Sequence, residues 1–158
     1  MAVGTTTAEA LVEEVFLFGR ALKRAVTTGD EDSPPLPQAL TGVLAILATE
    51  GECRQTDLAN RLCVSQSALS RQIADLVDLG YIDRTPDPDD KRASRVRVSA
   101  EGQEKLKVIW DRRARRLREM LSEWSETEAL AALDSIRKLN NTFDEDAQDV
   151  AHLKLIAR

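Results

Sequence analysis

"SQSALSRQIADLVDLGYIDRT", Ser65 to Thr85, changes its period in the middle. Up to Leu79 the apolar residues Leu69, Ile73, Leu76 and Val77 recur at i, i+4, i+7 and i+8, the spacing of one helix face. Ser65 stands where an N-cap belongs, its hydroxyl within reach of the amide of Ser67 or Ala68. Gly80 stands at the C′ position, where a helix ends in a left-handed turn. After it the period falls to two, and Tyr81 to Arg84 reads as a strand.

The side of this helix away from its apolar face carries Ser67, Ala68, Arg71, Ala74 and Asp78, with Ser70 and Gln72 on the flanks. Its N-terminal half is small and polar, with one arginine. A base-reading helix needs that composition: short side chains let the backbone approach, and donors and acceptors meet base edges in the major groove. Gln66 and Ser67 lie at the helix N-terminus, where free amides and the helix dipole favour a phosphate. In an isolated helix such a face is more often simply solvated. Its neighbours reverse that judgement. "QTDLANRL", Gln55 to Leu62, makes two turns with Leu58, Ala59 and Leu62 on one side, and Cys63-Val64 is a tight turn. Residues 55–62, 63–64 and 65–79 thus have the lengths of a helix-turn-helix.

Downstream, "TPDPDDKRA" is a polar turn with two prolines. "SRVRVS" then alternates, with Val96 and Val98 on one face and Arg95 and Arg97 on the other. The pattern predicts a two-stranded hairpin with a long tip. A hairpin beside a recognition helix can probe the adjacent minor groove, where Arg92 gains from the enhanced negative potential of a narrow groove. Asp90, two residues away, is expected to hold the Arg92 guanidinium. Arg95 and Arg97 are expected to face outward, towards phosphates. The bland reading is a solvated turn with ion pairs worth little.

Working outward, residues 8–26 read as a helix whose apolar stripe is wider than one core needs, which suggests a second contact surface. Thr27 to Pro37 is a loop, and residues 38–49 form a helix with Leu40, Val43, Leu44 and Leu47 inward. A long helix starts at Ala100 and connects, over 100–124, to a C-terminal helical region, 127–158. Ser125 and Glu128 make a capping box at its start. The fold class is mainly α (α+β). One domain, 1–158, carries a winged helix-turn-helix lobe at 38–99.

Apolar residues make up 42% of the 158 and aromatics only 4%, so the core is aliphatic, which suits helices. The net charge of −5 argues against a protein that coats nucleic acid nonspecifically, but leaves room for a local basic patch at Arg84, Lys91, Arg92, Arg95 and Arg97. No apolar run approaches the ~18 residues that span a bilayer. The N-terminus lacks the basic region of a secretory signal, so a cytoplasmic protein with no membrane partner is expected. Cys53 and Cys63 read as structural thiols. With one histidine, His152, no metal is expected, and no cofactor. Neither a Gly-rich phosphate loop nor a nucleophile elbow is present, so the chain is not expected to be an enzyme.

The run "DLANRLCVSQSALSRQIADLVDLGYIDRTPDPDDKRASRVRVSAEG" resembles the MarR family, dimeric winged helix-turn-helix repressors. Its most specific part is Asp90-Lys91-Arg92, then five residues to Val98-Ser99, with Gly102 beyond. Two positions depart from the family's habit. Cys63 stands where such turns usually carry glycine, at about 1 kcal/mol if the position is left-handed. Arg54 stands where a Ser or Thr cap is usual. The resemblance implies a homodimer held by 8–26 and 127–158, double-stranded DNA with a palindromic operator as partner, and release by a small aromatic or phenolic effector. Arg20 and Trp110 are the candidate effector contacts. Cysteine-based peroxide sensing in the first helix, known in some relatives, has no residue for it in 8–26. The arginines from Arg112 to Arg118 are read as a solvated face paired with acids such as Asp111 and Glu119. The alternative is a winged-helix module that binds protein, which needs no cation at the wing tip; Arg71 with Arg92 favours DNA.

Overall fold

Where the apolar spacing is helical, the chain is helical. The computed structural model describes the backbone of residues 3–27, 36–90 and 92–156, and the side chains of all of these but 26, 27 and 145–156. The expectations for the extreme N-terminus, most of the loop after Thr27, Lys91 and the His152 side chain lie outside the described residues. The order is α1 (Thr5–Thr27), α2 (Gln38–Glu50), β1 (Cys53–Arg54), α3 (Gln55–Arg61), α4 (Gln66–Asp78), β2 (Ile82–Pro86), β3 (Ser94–Val98), α5 (Ala100–Met120) and α6 (Glu126–Ile156). The chain divides into two compact units, residues 1–116 and 117–158.

The core of the first unit is aliphatic. Leu40, Val43, Leu44 and Leu47 of α2 meet Leu58 and Ala59 of α3, Leu69, Ile73 and Leu76 of α4, Ile82 and Val96 of the sheet, and Leu106 of α5. Burying each leucine or isoleucine stabilises the lobe by about 1.5–3 kcal/mol. The three inward residues of α4 are completely buried, so its opposite face is fixed outward. Val77 lies at the rim of the core.

The hairpin of β2 and β3 forms as expected, but the sheet gains a third strand, in the order β1-β3-β2, all antiparallel. Gly51, at φ 77°, turns the chain after α2, and Cys53 and Arg54 then pair with Val96 and Arg95. A strand of two residues has no period to read, so "EGECR" looks like a simple break. The long helix also stops at Met120, before the expected 124.

Both helix ends of the helix-turn-helix close by the same device. At the end of α4, Gly80 has φ 77°, its N–H donates to Val77 O at 2.9 Å, and Tyr81 N–H donates to Leu76 O at 2.8 Å. At the end of α3, Cys63 takes the glycine's place at φ 52°, with Cys63 N–H on Asn60 O and Val64 N–H on Ala59 O, both at 3.2 Å. A β-carbon in that conformation is strained by about 1–2 kcal/mol, of which glycine's freedom in the unfolded chain takes back a part. Cys63→Gly is therefore expected to stabilise the protein by about 0.5–1 kcal/mol, read as a higher midpoint in urea at unchanged slope. A lower midpoint would mean that the thiol, 3.7 Å from Asn60 O, contributes more than the strain costs.

In α1 the wide apolar stripe stays uncovered. No residue from Val3 to Arg24 is buried, and Val12 and Phe16 are 73% and 64% exposed. In the second unit, α6 runs unbroken to Ile156, so the last stretch extends the helix and does not form a separate one. Its capping box is made: Glu128 N–H donates to Ser125 Oγ at 3.3 Å, and Ser125 N–H donates to Glu128 Oε2 at 2.8 Å. The Ser125 hydroxyl, which donates to Glu128 Oε2 at 2.7 Å, and then the Ser125 N–H hold the Glu128 carboxyl pKa below its ordinary value.

Candidate nucleic-acid interface

The first turn of α4 is set by its cap. Ser65 Oγ accepts from Ala68 N–H at 3.2 Å and lies 3.2 Å from Ser67 Oγ. With Leu69, Ile73 and Leu76 inward, Ser65, Gln66, Ser67 and Arg71 are exposed, and Ala68, Ser70 and Gln72 are half-buried along the edges. Gln72 Oε1 is buried with no hydrogen-bond partner among the described residues. Arg71 makes no ion pair or hydrogen bond with any described residue. The expected face is thus assembled on one side of one helix, with its only cation uncommitted.

The wing differs in detail from its reading. Its anchor is Asp87, whose side chain is fully buried. Arg54 Nε donates to its Oδ2 at 2.7 Å and Arg54 Nη2 to its Oδ1 at 3.1 Å. Arg95 Nε donates to Oδ2 at 3.1 Å, and the amides of Asp89 and Asp90 donate to Oδ1 at 2.9 and 3.1 Å. A buried carboxylate is tolerable only with such full pairing. The Arg54 bond above all holds the Asp87 carboxyl well below the usual carboxylate range, against the opposing effect of its burial. A depressed value means that this stabilisation is present above the ordinary aspartate range and is lost as pH falls below it. Arg54 makes no side-chain cap on α3, since a guanidinium has no acceptor for the free amides; its donors go to Asp87 instead.

Two expectations are corrected, and a third, that Arg97 faces outward, holds with an ion pair added. Asp90 does not hold the Arg92 guanidinium: its Oδ1 accepts from the Arg92 backbone N–H at 2.9 Å, closing a turn at the wing tip. Arg95 does not simply face outward, since it is half-buried and committed to Asp87 and, at 3.5 Å, to Glu52. Arg97 is exposed but paired with Asp83, its neighbour across the strands, at 3.0 Å. An Asp between two prolines reads as a turn residue, which Asp87 is. Its arginine partners stand 33 and 8 positions away, and no local pattern links them.

Between α3, the first residue of α4 and the wing lies a cleft of about 160 Å³. Gln55, Thr56, Gln66, Arg84, Arg92, Ala93 and Ser94 line it. It brings together two expected residues, Gln66 and Arg92, from opposite ends of the motif. It adds Arg84, which belongs to the basic patch of the sequence but had no role assigned, and Gln55 and Thr56, which no sequence signal marks. Arg92 is exposed and, like Arg71, pairs through its side chain with no described residue.

The two candidate effector contacts are not joined. Arg20 stacks on Phe16 of its own helix, 6.0 Å from the ring centre, and Trp110 lies under Arg113 at 5.1 Å. Burial lowers the Arg113 pKa from the usual arginine value. Among the described residues no three His, Cys, Asp or Glu side chains form a group able to hold a metal ion, and no helix is long and apolar enough to cross a membrane.

Comparison with known proteins places these features. The family profile described as MarR family matches residues 36–94. An uncharacterized HTH-type transcriptional regulator of Mycobacterium leprae, ML2140, is 37% identical over 116 residues, covering 71% of this chain and 75% of that protein. Another from Bacillus subtilis, YdgJ, is 25% identical over 109 residues, 69% of this chain and 66% of its own length. The alignment thus spans just under two thirds of that relative. Among solved structures, a MarR family protein from Bacillus stearothermophilus shares the fold at a TM-score of 0.75, with 20% identity over 90% of this chain and 99% of that one. A mutant E. coli MarR complexed with operator DNA superposes at 0.61, with 18% identity over 87% and 99% of the two chains.

Proposed function

The chain belongs to the MarR family of transcriptional regulators, and from that premise we propose that it acts in the cytoplasm as a homodimeric repressor, which binds a palindromic operator in double-stranded DNA and leaves it on taking up a small-molecule effector. The carrying observation is that α4 presents one arginine, Arg71, and the wing two, Arg84 and Arg92, without a counter-ion among the described residues, and that Gln66, Arg84 and Arg92 border one cleft. A chain of net charge −5 that keeps such cations uncompensated on one side favours an anionic partner there.

In this reading Ser65 to Gln72 enter the major groove, with Arg71 on base edges, and Arg92 enters the adjacent minor groove. Arg95 and Arg97 contribute less than their number suggests. To meet a phosphate, each must share or leave a carboxylate it already holds. The uncovered stripe of α1 supports the dimer, since an apolar patch of that extent calls for a partner. Residues 8–26 and 127–158 would supply it from two copies. A two-fold dimer presents two α4 helices to half-sites about one helical turn apart, which is why the operator is a palindrome. The effector, a small aromatic or phenolic acid, prefers a state in which the two helices are wrongly spaced. Arg20 and Trp110 stay as its candidate contacts.

The test is selection of duplexes from a random pool, followed by affinity measurement across a salt series. The expected product is a sequence with two-fold symmetry. Its binding should fall steeply with salt, about 10³-fold or more between 50 and 200 mM for six or more phosphate contacts. A flat salt response favours the protein-binding module, and an asymmetric site rules out the dimer.

A further inference from the structure

We propose that the cleft between α3, the start of α4 and the wing seats one backbone phosphate of bound DNA, with Arg84 as its principal ligand. The proposal rests on the reading that α4 and the wing occupy neighbouring grooves. A major groove and the minor groove beside it are separated by one sugar–phosphate strand. A protein with a helix in one and a finger in the other straddles that strand, and the surface between them must meet its phosphates. In this chain that surface is the cleft.

Its charge fits. Arg54 and Arg95 share Asp87, with Asp89 and Glu52 as their second partners, and Arg97 is paired with Asp83. Among the described residues Arg84 has no carboxylate partner, and none that lines the cleft is acidic. Arg84 lies on the sheet face of Val96 and Ser94, opposite to the face of Arg95 and Arg97. It is also held in place. Arg84 Nε donates to Ser94 Oγ at 3.1 Å, and Ser94 Oγ donates to Gln55 Oε1 at 3.5 Å. One edge of the guanidinium is therefore anchored, and its two Nη groups are left as donors to an oxyanion. The Gln55 amide nitrogen, with the Thr56 hydroxyl and Gln66, adds neutral donors around the same space. The volume, about 160 Å³, admits a phosphate with water but falls short of the ~300 Å³ at which pockets for drug-sized ligands begin.

The experiment compares the wild-type chain with Arg84→Gln and Arg84→Lys on a duplex that the wild type has selected from a random pool, across a salt series. Arg84→Gln is expected to bind about tenfold more weakly, with the log–log salt slope shallower by about 0.9 for each subunit's lost contact. Arg84→Lys should keep the slope and most of the affinity. The loss should be equal on a scrambled duplex, because a phosphate carries no sequence information. A scan with single neutral methylphosphonates should find one position per half-site that weakens the wild type and leaves Arg84→Gln unchanged. Wild-type affinity and slope in Arg84→Gln, or a loss confined to the selected sequence, would overturn the proposal while the DNA-binding reading stood. If the wild type selects no duplex, the reading itself fails and the phosphate seat with it.

Discussion

Gly102→Ala is expected to remove about 3 kcal/mol or more of stability, a fall of roughly 10–20 °C in the unfolding midpoint for a lobe of this size. A β-carbon there would collide with the Tyr81 carbonyl oxygen and stand 2.8 Å from Val98 Cγ1 and 3.0 Å from the Tyr81 carbonyl carbon. The neighbour cannot yield. Tyr81 O accepts from Ser99 N–H at 3.0 Å, and Tyr81 N–H closes the end of α4 on Leu76 O at 2.8 Å. From the other side, Ser99 Oγ donates to Gly80 O and accepts from Gly102 N–H at 3.0 Å. The end of α4, the start of β2, the end of β3 and the first turn of α5 are thus tied through two backbone positions. Relief requires either that α5 slides away, drawing Leu106 out of the core, or that the Tyr81 peptide turns and leaves buried Ser99 without its acceptor. Gly42→Ala is the control. A β-carbon at that helical position meets nothing within 4 Å, and the change should be neutral or mildly stabilising. A Gly102→Ala protein that melts with the wild type would refute the close contact of α5 with Tyr81.

The helix-turn-helix was legible because each of its decisions is local. Leu69, Ile73 and Leu76 mark the inward face, Ser65 marks the beginning and Gly80 the end, and all act within a few residues of themselves. The left-handed turn at Cys63 was flagged by the family resemblance, as the position where such turns usually carry glycine. The wide stripe of α1 could also be read, and it is uncovered. What escaped reading is non-local. Asp87 gains its meaning from Arg54 and Arg95, which the fold alone brings to it. Without that carboxylate in view, Arg95 looks like a free cation, and Arg54 looks like a faulty cap. Arg84 falls in a strand too short to show which face it takes. Gly102 belongs to the pattern that carries the family resemblance, but the reason for glycine there is a carbonyl 21 positions earlier that no spacing announces.

Arg71→Ala should show the opposite signature: an operator affinity lower by about 30-fold or more, with folding untouched. Arg71 is exposed and holds no described partner, so its removal leaves no buried group unsatisfied. Alanine is also the better helix former, so the midpoint should stay or rise slightly. On the proposed reading the loss comes from DNA. Ser67, Ala68 and Ala74 around Arg71 are small, so the helix can approach until the guanidinium reaches the base edges, where a bidentate contact to guanine contributes about 1–3 kcal/mol of discrimination. A dimer makes that contact twice, and about 2–6 kcal/mol corresponds to roughly 30-fold to more than 10⁴-fold. Because the contact reads a base, the variant should lose preference at one base pair of each half-site and keep it elsewhere, unlike a variant at a phosphate contact. Binding of the selected duplex at wild-type strength would mean that α4 does not read DNA through this residue. If Arg92→Ala were equally silent, neither Arg71 nor Arg92 would have a nucleic-acid role, and a protein surface would become the better partner for this wing.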